Sequence, residues 1–138
     1  MTQKHEVLNK LFTDDNDVNA NELYNLLSPF IKINKTNKSI IFLDSTLKYN
    51  LKNKIILFLL AKKVLYLVGD LESDRVKPVD MIKETGISKG SVLPTLKTLK
   101  EPKGGGLVSV DTAGYYVTSY QISKIKAKNI LNNYEKNN

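Results

Sequence analysis

The stretch IILFLLAKKVLYLV, residues 55 to 68, constrains the fold more than any other part of the chain. Wound as a helix, it puts apolar side chains on nearly every face, and a helix with so little polar surface is normally buried. A membrane span needs about 20 apolar residues. This run is 14 residues long, with Lys62 and Lys63 in its middle. The sequence therefore predicts a buried helix from about Ser45 to Val68, closed by Gly69 as a C-cap, on which both ends of the protein pack.

Before that helix, HEVLNKLF (5 to 12) has apolar residues at helical spacing, and the acidic DDNDVNAN reads as a loop. A calcium loop starting at Asp15, with Asp17 and Asn19 at alternate positions, has Ala20 where the turn needs Gly. It also has Leu26 where the last ligand needs Glu. Capping fits better: Asn19 and Glu22 are spaced as a capping box for the helix NELYNLLS, which Pro29 ends. FIKI (30 to 33) and SIIFL (39 to 43), joined by NKTNK, predict a hairpin.

After the central helix, Pro78 suits a first helical turn, where its missing N–H costs nothing. PVDMIKET then predicts a helix with Val79, Met81 or Ile82 inward. Gly86 supplies the positive φ of a tight bend, Ile87 plugs it, and Ser88 is placed to cap the next helix. That helix has Val92, Leu96 and Leu99 at i, i+4 and i+7, while Lys89, Ser91, Thr95, Lys97, Thr98 and Lys100 occupy its other faces. GGGLVSV, DTAG and YYVT predict a second hairpin, in which one of Tyr115 and Tyr116 faces the core. Thr118 and Gln121 form a capping box for a last helix through Tyr134, with Ile122, Ile125, Ile130 and Leu131 inward and Lys124, Lys126 and Lys128 outward.

The predicted class is α+β, mainly helical with small β-hairpins, in one globular unit. Residues 1 to 50 form an N-terminal extension packed on residues 51 to 138. The charge is uneven. The first 50 residues hold six lysines and six acids, while the remainder holds fifteen cations against eight acids, so the whole net charge of +7 lies there. That is the electrostatic footprint of a nucleic-acid binder, although a Lys-, Asn- and Ile-rich composition also accumulates lysine by codon bias.

The segments IKETGISKGSVLPTLKTL, GLVSV and GYYVT resemble the winged helix-turn-helix of many archaeal and bacterial transcription regulators. There, a Gly-Ile-Ser turn opens the recognition helix and Gly-Leu-Val opens the wing. The resemblance spans about residues 51 to 134 and implies a recognition helix at 88 to 100, a β-wing at 107 to 118 and a wing tip at 111 to 114. It implies double-stranded DNA as partner, with Lys89, Ser91, Thr95 and Lys97 in the groove and Thr98 beside them. Lys100 and Lys103 would meet phosphates, which position a protein without reading sequence.

Several residue patterns depart from it. Pro94 falls inside the recognition helix and should kink or shorten it, and Gly90 weakens the same helix. EPKGG lengthens the link to the wing, whose tip has no cation, and the recognition helix has no Arg for the commonest guanine contact. These features suit the alternative, a winged helix that binds another protein.

No enzyme is expected. The lone His5 has no cysteine or carboxylate cluster beside it, Ser123 and Lys126 have SxxK spacing without a partner motif, and the Gly104–Gly106 run lacks the Lys of a phosphate loop. With zero cysteines and no signal-like start, the expectation is a cytoplasmic protein without metal or cofactor, able to form a homodimer.

Overall fold

A computed structural model of the chain describes residues 3–8, 11, 20–43, 51–128 and 130–131. Among these, six α-helices and two antiparallel hairpins form an α+β protein. In chain order they are α1 (Gln3–Leu8), α2 (Ala20–Leu27), β1 (Ile31–Ile33), β2 (Ile40–Phe42), α3 (Leu51–Leu67), α4 (Pro78–Thr85), α5 (Lys89–Lys100), β3 (Ser109–Asp111), β4 (Gly114–Tyr116) and α6 (Ser119–Ala127). The expected start of the central helix at Ser45, the Asn19 cap, the Asp15 loop and Tyr134 lie outside the described residues.

Helix α3 is the spine. Ile55 through Ala61 are all buried, and α2, α5 and β4 pack around them. One apolar core joins Leu23, Leu27, Phe30 and Ile31 from the N-terminal part to Met81, Val92, Leu96, Leu99, Val117, Ile122 and Ile125. No described helix is long and apolar enough to cross a membrane.

The local signals behave as their chemistry demands. Gly86 sits at φ 76°, in the left-handed region, and its N–H bonds the Ile82 carbonyl. Thr85 braces the same turn: its hydroxyl donates to the Met81 carbonyl at 2.6 Å and accepts from the Ile87 N–H at 3.1 Å. At α6 both halves of the Thr118–Gln121 capping box are made.

Four expectations need correction. Val79 is 65% exposed, because Met81 takes the core position and residues two apart on a helix point to opposite sides. Ser88 occupies the N-cap position but caps nothing with its side chain, which donates instead to the Ser91 hydroxyl. Helix α6 stops at Ala127; the Ile130 N–H then reaches back to the Ile125 carbonyl, a tight turn that tucks Leu131 into the core. Lys124 does not point freely outward, since its ammonium bonds the Gly105 carbonyl and lies over the Tyr120 ring.

A chain of charges crosses the interior. Lys63, 1% exposed, meets the buried Asp74 at 3.1 Å, and the other oxygen of Asp74 accepts from Arg75 at 2.6 Å. Arg75 continues to Asp111 at 3.1 Å and stacks on Tyr116, 3.6 Å from the ring centroid. Val76 and Tyr115 exchange backbone bonds of 2.9 and 2.8 Å, so a single antiparallel bridge ties the segment before α4 to β4. Gly114 is required there: a Cβ would stand 2.6 Å from the Val76 carbonyl group.

Removing one member of a buried pair strands the other charge, which costs about 3–5 kcal/mol. Asp74→Ala should therefore lower unfolding free energy by that order in urea denaturation. Lys63→Met added to it should recover a substantial part.

Candidate nucleic-acid interface

Helix α5 is anchored by Val92, Leu96 and Leu99, all fully buried. At 100° per residue these side chains define its inner face, and everything else follows from that. Gly90, Pro94 and Lys97 recur at i, i+4 and i+7 on the ridge opposite. Ser91, Thr95 and Thr98 form one flank, and Lys89, Leu93 and Lys100 the other. The proposed contacts are thus divided between two sides of one helix, with a flat Gly90–Pro94 strip between them.

The hydroxyl flank is engaged locally. Thr95 donates to the Ser91 carbonyl at 2.7 Å, and the Ser91 hydroxyl accepts from Ser88 at 3.2 Å. Ser91 and Thr95 are half-buried, whereas Thr98 is exposed. With Pro94, Thr95 and Thr98 border a shallow depression of about 550 Å³ whose far wall is Leu51 and Lys52 of α3.

The basic flank and the ridge beside it are open. Lys89, Lys97 and Lys100 are exposed, and Lys103 joins them from the 3₁₀ turn Pro102–Gly104, so EPKGG is an ordered corner rather than a slack insertion. None of these four ammonium groups has an ion-pair or hydrogen-bond partner among the described residues. Other cations of this half are engaged internally: Lys62 with Glu84, Lys63 with Asp74, Lys126 with Glu22, and Arg75, the only arginine of the chain, with Asp74 and Asp111.

Pro94 does not shorten the helix, which runs unbroken from Lys89 to Lys100. Its ring points outward on the exposed ridge, and the buried stripe on the far side holds the turns in place. Ser123 donates to the Ser119 carbonyl, and Lys126 pairs with Glu22. His5 has no described side chain.

The hairpin tip is built around Asp111, whose carboxylate accepts from the Ala113 and Gly114 N–H groups at 2.8 and 3.2 Å. Tyr115 packs on the core, and Arg75 covers one face of the Tyr116 ring. Burial by itself would lower the Arg75 pKa; hydrogen bonds to Asp74 and Asp111 outweigh it and hold the guanidinium above its ordinary value. The Ala113 N–H, and after it Arg75, hold the Asp111 carboxyl below its usual 3.8. Sequence reading passes over Arg75, because its partners lie at 74 and 111 and no local spacing announces the second.

Comparison with protein-family models, with curated proteins and with solved structures found no match for this chain.

Two outcomes are expected. A proline inside a helix costs about 3 kcal/mol, so Pro94→Ala should raise stability by up to that order in urea denaturation. Because the folded Asp111 pKa is depressed, its bonds contribute above pH 3.8 and are lost only as pH falls through the lower folded value. An NMR titration of the Asp111 carboxyl should show its midpoint below 3.8.

Proposed function

We propose that this protein binds double-stranded DNA through a winged helix-turn-helix and acts as a transcription regulator. In this reading α4 and α5 are the helix-turn-helix and the β3–β4 hairpin is the wing. The observation that carries it is the row of four exposed, unpaired ammonium groups, Lys89, Lys97, Lys100 and Lys103, along one side of α5 and the corner after it. Lysines spaced along a helix edge suit phosphates, each displacing a condensed counterion.

In this reading base contacts play a small part. The outermost ridge of α5 holds Gly90 and Pro94, which offer no side-chain hydrogen bond, beside Lys97, and the Thr95 hydroxyl is bonded to its own helix. Lysine is a point charge without the planar fork that Arg brings to guanine. The expected mode is phosphate-driven, with any sequence preference coming from DNA shape. Leu93 and Val110, each 40% exposed, favour the second reading, in which α5 and the hairpin contact a protein partner.

Fluorescence anisotropy on a random 30-base-pair duplex at several salt concentrations tests this. Wild type should show log affinity falling linearly with log salt. Lys89→Glu/Lys97→Glu/Lys100→Glu should flatten that slope by about 3, at roughly 0.9 for each phosphate left unneutralised, with an unchanged circular dichroism spectrum. Failure of wild type to bind at low salt would sink the DNA reading and leave the protein-partner one.

A further inference from the structure

Two apolar surfaces of this chain stand open in a single copy. On α1, Val7 and Leu8 are 60% and 48% exposed on adjacent positions, and Leu11 just beyond it is 79% exposed. The other surface is a groove of about 490 Å³ between α2, β1 and the end of α3, walled by Leu23, Tyr24, Leu27, Ile31, Leu67 and Val68. Tyr24 and Val68 on its rim are 68% and 65% exposed.

We propose that the groove receives α1 of a second copy, and that two chains exchange these helices reciprocally to form a two-fold dimer. A short amphipathic helix laid into an apolar groove is a recurrent recognition mode, read as anchors at helical spacing. Three observations select a second copy as the occupant.

First, the chain supplies both halves of the contact, and a self-complementary pair of surfaces closes under two-fold symmetry. Second, charge agrees. Lys32 lies in the groove wall, while α1 carries Glu6 and the connection after it carries Asp14, Asp15 and Asp17. Third, reach and size agree. Eight residues separate Leu11 from Ala20, the first residue of α2. At most about 3.3–3.6 Å per residue, that length of chain is enough to reach a neighbouring molecule. A six-residue helix is too short to be stable alone. Reciprocal exchange forms the contact twice, and stable interfaces begin at roughly 1,200 Å².

The dimer does not rest on the DNA reading, and its test contains no DNA. Light scattering coupled to size exclusion should give the wild type twice the 15.6 kDa chain mass at micromolar concentration. Val7→Asp/Leu8→Asp and, separately, Val68→Asp should each give 15.6 kDa. All three substituted side chains are exposed, so the fold should survive, with circular dichroism as the check.

A cysteine-free chain allows a sharper arm. Leu8→Cys and Val68→Cys chains, equilibrated together under mild oxidation, should give a disulfide-linked dimer far above the yield of either alone. A monomeric wild type, or a dimer that survives both sets of aspartates, would overturn the proposal. So would a Leu8→Cys/Val68→Cys chain that closes its disulfide within one copy, since the helix would then occupy its own groove.

Discussion

Asp74 is the point at which this molecule is tied together. Its two carboxylate oxygens are divided between the ammonium of Lys63, from the middle of the apolar spine, and the guanidinium of Arg75, which leads to the hairpin. An ammonium in the middle of α3 would be a large penalty in an apolar interior. With Asp74 beside it, the same group fixes where the segment before α4 must run. Arg75 then has one place to go, between Tyr116 and Asp111, and the hairpin is held to the core from both sides.

That arrangement separates structural cations from available ones. The single arginine, with the best geometry for bidentate contacts, is committed inside the protein, and the surface of α5 is left with ammonium groups. Lys63 and Arg75 hold the interior together, while the cations left exposed on α5 are all lysines. The fold uses the planar fork where direction matters, and presents lysine where charge alone suffices.

Much of this was legible from local chemistry. The bend at Gly86, the Val92–Leu96–Leu99 stripe, the Thr118–Gln121 box and both hairpins were all found where spacing placed them, because each depends on residues within one or two turns. The all-round apolar character of 55 to 68 likewise fixed α3 as the buried element. What escaped was set by distance in the chain. Lys63 and Asp74 are 11 positions apart, and Arg75 and Asp111 are 36 apart, so no periodicity joins them. The site was only half legible. Lysines could be assigned to the surface of α5, but their separation from Ser91 and Thr95 onto opposite flanks required the orientation of the buried stripe. Pro94 does not shorten the helix, because the missing hydrogen bond is local while the packing on the far side keeps the turns together.

The Val76 bridge has a consequence for how this protein behaves in a crowded solution. Val76 pairs with the middle residue of β4, and the other border, β3, is three residues long and ends in a charged side chain. A border that short, stopped by a carboxylate, gives an incoming strand too few hydrogen bonds to hold. The hairpin therefore offers little to seed aggregates, and Gly114, by letting Val76 close in, is the residue that secures it.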